Sequence, residues 1–215
     1  MEASVSHSSE QVFMETIKMR FDIVLPTIGR DSLASAVESV VNQTHVNWTL
    51  YIIGDGVAAE HYPTLDELYR HPQVECYSLI ERHASYGAEA RNHGISLGDA
   101  EWIAYIDDDD EWWPNHLETH ARMIEEHPGV NMVRSGGQSF FMKHRSPRSS
   151  KLKRKMGPVN TTDILTVGMS HTRELFLQTP GWRPEDNHDH ALWRDMLTAG
   201  GHPAVSEEVT FLFER

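Results

Sequence analysis

The sequence predicts an α/β fold with a mainly parallel central sheet flanked by helices, and three observations lead there. Short apolar runs alternate with stretches of helical spacing through the first half of the chain, the order that builds a parallel sheet from strand–helix–strand units. Pro, Gly and Asp punctuate the ends of those runs, as residues that stop strands and start turns. The 215 residues, 39% hydrophobic and 24% charged, suffice for one full core and do not call for two domains. Residues 1–20 scatter Ser, Glu, His and Gln among isolated apolar residues and read as a polar tail or a dimer-contact arm, which leaves 21–215 as a single domain.

The elements follow in order. FDIVL at 21–25 is a strand ended by Pro26, and Asp31 is placed to cap a helix carrying Leu33, Val37, Val40 and Val41 at helical spacing. WTLYIIG at 48–54 is the second strand, a helix is expected around Leu65 to Tyr69, and VECYSLI at 74–80 is the third strand. Ala88 to Leu97 reads as a helix closed by Gly98, and WIAYI at 102–106 is the fourth strand. That strand runs straight into Asp107, Asp108, Asp109 and Asp110, then Pro114 opens a helix ending near His127 and Pro128. Beyond this the pattern weakens. VNMVRS (130–135) and GQSFFMK (137–143) look like two strands, Val167 to His171 like a short one, and Ala191, Leu192, Met196 and Leu197 like a helix stopped by Gly200 and Gly201. VTFLF at 209–213 is the last strand.

Composition narrows the partners. A formal charge of -13 argues against nucleic acid, because phosphate-backbone affinity comes from clustered Lys and Arg. The exception is 143–155 (KHRSPRSSKLKRK), with seven of the 19 Lys and Arg and no acidic residue. It reads either as a solvated loop or as an anion-holding one, for a diphosphate or for a peripheral membrane contact with acidic head groups. The single cysteine, Cys76, has no intrachain partner. With no basic, apolar leader and no stretch of roughly 20 apolar residues, a cytoplasmic location is the expectation.

In an open α/β sheet ligands bind at the carboxyl ends of the strands. Pro26 to Arg30, Gly54-Asp55-Gly56 and Asp107 to Asp110 therefore belong to one rim. Four adjacent carboxylates repel one another and serve stability poorly. An acid-rich helix start accounts for one or two of them; a divalent cation held by hard oxygen ligands, Mn²⁺ or Mg²⁺, accounts for the cluster.

FDIVLPTIGRDSLASAVESVVNQTHVNWTLYIIGDG, followed by YGAEARNHGISLGDAEWIAYIDDDDEWWPNHL, resembles the family 2 glycosyltransferases, whose catalytic domain has the GT-A fold. The resemblance runs from about residue 21 to the end and is strongest over 21–117, which it marks as a nucleotide-sugar and metal half; 118–215 is the acceptor half. It implies a nucleotide-sugar donor, UDP-sugars foremost, an acceptor hydroxyl on a carbohydrate or other molecule, and inversion at the anomeric carbon. Pro26, Thr27 and Arg30 match the donor loop after the first strand, and Asp55 the aspartate that reads the base. Arg91 and Asn92 match the Ala-Arg-Asn element. Asp107 and Asp109 match the outer residues of Asp-X-Asp, with Asp109 the direct metal ligand and Asp107 and Asp108 beside the donor. The family's Glu-Asp pair before a Leu-Trp helix falls on His188-Asp189, implying Asp189 as the base with His188 in reserve, and His190 as a further metal candidate. The usual Asp-Asp-Gly-Ser after the second strand is Gly54-Asp55-Gly56-Val57 here. The chain stops soon after the base element, so acceptor recognition is expected from a small region, a partner chain, or both, and a homodimer is one such arrangement.

Three rivals remain. His116 and His120, four apart on a predicted helix, have a spacing that suits zinc and a hydrolase. A nucleotidyltransferase shares the fold type but needs a Gly-rich basic loop where this chain has PTIGR. A non-catalytic nucleotide-sugar-binding module would not need Asp189. Trp112 and Trp113 suit a sugar platform or the core equally, whereas Trp102, Trp182 and Trp193 suit the core.

Overall fold

The computed structural model describes residues 19–57, 70–83, 85–141, 155–158 and 164–214. The expected helix around Leu65 to Tyr69 and nearly all of the basic segment 143–155 lie outside them. The chain order is β1 (Phe21–Thr27), α1 (Leu33–Val41), β2 (Trp48–Asp55), β3 (Val74–Leu79), α2 (Ala88–Leu97), β4 (Trp102–Tyr105), β5 (Glu111–Trp112), α3 (His116–Glu126), β6 (Met132–Phe141), β7 (Lys155–Pro158), β8 (Met169–Thr172), α4 (Arg173–Leu177), α5 (His188–Thr198) and β9 (Pro203–Glu214). Among the described residues no helix is long and apolar enough to cross a membrane.

One sheet runs β3-β2-β1-β4-β8-β6-β9-β5, with β7 beside the far half of β6. The first four strands are parallel, as predicted. Past β4 the sheet becomes mixed: β8 is antiparallel to β4 and β6, whereas β9 is parallel to β6 and antiparallel to β5. Every residue of β1 is buried, because a strand inside a sheet covered on both faces has no solvated side. Phe21, Ile23 and Leu25 face the layer that holds α1 and α3, and Val24 faces the layer of α2 and α5, the two-residue alternation of a strand.

Two readings need correction. The cap of α1 is Ser32, without a side-chain cap bond, and not Asp31. The two strands expected at 130–135 and 137–143 are the single strand β6, with register shifts at Gly136. The glycines there look like breakers in the sequence, yet they admit a neighbour: a Cβ on Gly137 would lie 2.1 Å from the Phe211 ring of β9.

Register brings the functional rim level. Thr27 pairs with Gly54, and Val24 with Tyr105, so Pro26, Asp55 and Asp107 emerge together at the carboxyl ends of β1, β2 and β4.

Candidate functional site

The four aspartates separate into different tasks. Asp108 is buried and ties the β1 loop to the β4 loop: its Oδ2 accepts from Thr27 Oγ1 at 2.7 Å and Ile28 N at 3.2 Å, and its Oδ1 from Arg30. Asp107 is ion-paired with Arg91. Arg91 is itself buried, donates to the Tyr86 carbonyl at 2.7 Å, and lies 4.8 Å over the Trp182 ring. Asp109 is partly exposed, with Arg30 Nη1 at 3.5 Å. Asp110 is buried and its N–H closes a turn onto the Asp107 carbonyl at 3.1 Å. The repulsion that the sequence implied is thus offset at three carboxylates by two arginines.

Arg91, Asp107, Asp108 and Asp109 line a cleft of about 420 Å³ with Pro26, Thr27, Arg30, Asp55, Tyr86 and His188, within the usual range of about 300–1,000 Å³ for a small-molecule site. Asp55 is buried and its Oδ1 accepts from His83 N at 2.8 Å. Asn92 does not line the cleft; it clasps the segment after α4, donating to the Trp182 carbonyl at 2.9 Å and accepting from Trp182 N at 3.0 Å.

Beside the cleft, Asp189 opens α5. Its Oδ1 accepts from Thr166 Oγ1 at 2.8 Å and lies 2.7 Å from His188 Nε2, and its Oδ2 accepts from Thr166 N at 3.2 Å. Burial works to raise the Asp189 carboxyl, but the bonds from His188 and Thr166 and the charge of Arg91 outweigh it and hold the group below 3.8, ionised near neutrality. His188 lines the cleft whereas Asp189 does not, and His190 is exposed on α5 away from it.

The donor set suits a hard cation. Asp107 and Asp109 present carboxylates to the cleft, and no third His, Cys, Asp or Glu gathers into a metal group among the described residues. Water and phosphate oxygens would complete the shell, as Mg²⁺ and Mn²⁺ favour. A closed zinc site does not fit. His116 and His120 are fully buried, bonded to Thr210 Oγ1 and Ser170 Oγ at 2.8 Å each, with His120 Nε2 also 3.1 Å from Ser135 Oγ. Burial lowers both, His120 to about 3, so they are neutral core groups. Trp112 is buried and donates to the Val167 carbonyl at 2.9 Å, while Trp113 is 37% exposed. Trp102, Trp182 and Trp193 are core, as expected.

Sequence reasoning missed Thr166, Tyr86 and the way Trp182 backs both Arg91 and His188, whose ring centroid is 5.6 Å from its own. Only the nearness of Tyr86-Gly87 to the Ala-Arg-Asn element hinted at the second.

Known proteins bear on the family and the fold. The sequence model described as "Glycosyl transferase family 2" matches residues 22–177. A putative colanic acid biosynthesis glycosyl transferase, WcaA of Escherichia coli K12, is 34% identical over 111 residues, 49% of this chain; the chain spans 39% of that relative's length. Among solved structures, S. aureus TarS 1–349 in complex with UDP-GlcNAc superposes with a TM-score of 0.70 at 15% identity, covering 92% of this chain and 59% of that one. The mannosyltransferase PcManGT from Pyrobaculum calidifontis in complex with GDP-Man and Mn²⁺ gives 0.68 at 13% identity, covering 90% and 56%. At these identities the structural likeness speaks for the fold.

Proposed function

The chain belongs to glycosyl transferase family 2, and from that premise we propose that it moves a sugar from a nucleoside diphosphate sugar, a UDP-sugar first, to an acceptor hydroxyl with inversion. The observation that carries this reading is the meeting of Asp55, Arg91, Asp107, Asp109 and His188 around one cleft. Support for the nucleotide comes from the relative UDP-Glc:alpha-D-GlcNAc-diphosphoundecaprenol beta-1,3-glucosyltransferase of Escherichia coli, 26% identical over 103 residues, and from the UDP-GlcNAc that TarS binds.

Each residue then has a task. Pro26 and Thr27 wall the nucleotide site, and Asp55 offers a carboxylate to a base N–H. Asp107 and Asp109 would hold Mn²⁺ or Mg²⁺, which when bound neutralises charge on the diphosphate. Arg91 sets the orientation of Asp107, and Arg30 stands ready to move from Asp109 to a phosphate oxygen. An ionised Asp189 only accepts hydrogen bonds, so the short contact to His188 makes Nε2 the protonated nitrogen and leaves Nδ1 as the acceptor. His188 therefore takes the proton, and Asp189 orients it and stabilises the imidazolium, which exchanges the roles expected from the family pattern. The acceptor oxygen bonds to the anomeric carbon, the bond to the diphosphate oxygen breaks with its electron pair, and the hydroxyl proton passes to His188.

Calorimetric titration of UDP, GDP and dTDP with Mn²⁺ or with EDTA tests the assignment. One nucleotide should bind with Mn²⁺ and be lost with EDTA and in Asp109→Ala. Absence of binding by all three would sink it.

A further inference from the structure

We propose that Tyr86 is the acceptor-selecting side chain of the cleft, and that the acceptor is a saccharide whose pyranose C–H face lies on the phenol ring. The inference rests on the transferase reading, because it takes His188 as the group that touches the attacking hydroxyl.

Two peculiarities meet at this point. Among the described residues only two other than glycine have left-handed backbone, Tyr86 at φ 54° and Asn187 at φ 58°. For a side chain with a Cβ that conformation costs about 1–2 kcal/mol, and it persists where surrounding structure holds it. Tyr86 and Asn187 are 101 positions apart in sequence, yet Asn187 directly precedes His188, and the Tyr86 ring lies parallel to the His188 ring at 6.0 Å and 22°. Both strained residues therefore flank one ring pair.

The Tyr86 backbone is fixed from below, where its carbonyl accepts from the buried Arg91. The residue is 62% exposed and lines the cleft. A large aromatic held in a strained turn, with most of its surface in water, adds little to the fold beyond its contact with His188. The molecule that carries the attacking hydroxyl to His188 must, however, lie against that ring. A pyranose suits both surroundings: its C–H face covers the phenol, with Ile28 and Phe213 as further apolar wall, and its attacking hydroxyl meets His188.

The experiment uses the full chain saturated with UDP and Mn²⁺ on a glycan array, comparing wild type, Tyr86→Phe and Tyr86→Ala, with UDP affinity and thermal midpoint measured for each. The expected result is capture of a defined glycan set by wild type and Tyr86→Phe, a loss of roughly five- to tenfold in Tyr86→Ala, and equal UDP affinity in all three. Tyr86→Gly, which removes the backbone strain as well as the ring, should match Tyr86→Ala in glycan binding even if it melts higher. Full glycan binding by Tyr86→Ala, a parallel loss of UDP affinity that would put the ring in the donor site, or capture of no glycan by a wild type that binds UDP would each overturn the proposal. Failure of the wild type to bind any nucleotide would instead remove the transferase reading, and this inference with it.

Discussion

Asp108 and Asp109 are neighbours of identical chemistry, and the structure predicts opposite consequences for replacing them by Asn. Three donors, Thr27 Oγ1, Ile28 N and Arg30, converge on the buried Asp108 carboxylate. Hydrogen bonds to a charged group contribute about 1.5–3 kcal/mol each. Asn keeps one acceptor oxygen and turns an NH₂ toward donors, so about one and a half of these bonds are lost, a cost of about 3 kcal/mol after Arg30, which is half exposed, regains water. At about 2–4 °C per kcal/mol for a chain of this size, Asp108→Asn should melt roughly 6–12 °C lower. Asp109 is 29% exposed and shares Arg30 at 3.5 Å, so Asp109→Asn should stay within about 0.5 kcal/mol of wild type while losing Mn²⁺-dependent nucleotide binding. Urea and thermal unfolding followed by circular dichroism, paired with calorimetry, separate the two. Equal melting of both variants, or a destabilised Asp109→Asn with intact nucleotide binding, would refute the division of labour within the run.

Other expectations follow from the same geometry. His188→Gln and Asp189→Asn should each slow turnover by roughly 10²–10⁴ in donor hydrolysis or transfer, with nucleotide affinity unchanged. A base at Asp189, its carboxyl lowered from 3.8 by its partners, would leave the rate flat from mildly acidic to neutral pH; a flat profile would return the role to Asp189. His116, His120 and His171 are lowered in the folded state, His120 to about 3 and His171 to about 4, by burial above all. The unfolded chain therefore binds more protons below the ordinary histidine value of 6.5, and stability should fall as pH drops from there toward 4, by up to about 1.4 kcal/mol per pH unit for each histidine; His120→Gln should flatten the urea midpoint against pH. Gly137→Ala, which drives a Cβ into the Phe211 ring, should cost about 1–3 kcal/mol by urea denaturation and be eased by Phe211→Leu.

Much of the parallel half of the sheet was legible in the residues. The parallel strands announce themselves as uninterrupted apolar runs, and the four acids at the end of β4 have no structural excuse that covers all of them. The carboxyl-terminal half was harder to read, for definite reasons. Gly137 in β6 makes room for the Phe211 ring, contributed from 74 residues later, and no local pattern announces such a partner. β5 has two residues and exists through β9. His116 and His120 carried a ligand spacing, but their environment is set by Ser135, Ser170 and Thr210, three hydroxyls from three other strands. The exchange of roles proposed for His188 and Asp189 depends on Thr166, whose side chain reaches Asp189 from 23 residues away.

The clasp between Asn92 and Trp182 joins α2 to a segment 90 residues later, and the ring it fixes is the one that Arg91 lies against. The groups that would grip the donor and the groups that would meet the acceptor are therefore not separable cassettes. Exchanging the carboxyl-terminal portion for that of a relative would leave Asn92 and Arg91 facing a foreign loop and would loosen Asp107 at the same stroke. New acceptor preferences would be sought first at exposed positions such as Tyr86, whose carbonyl is held by Arg91 while its side chain lines the cleft.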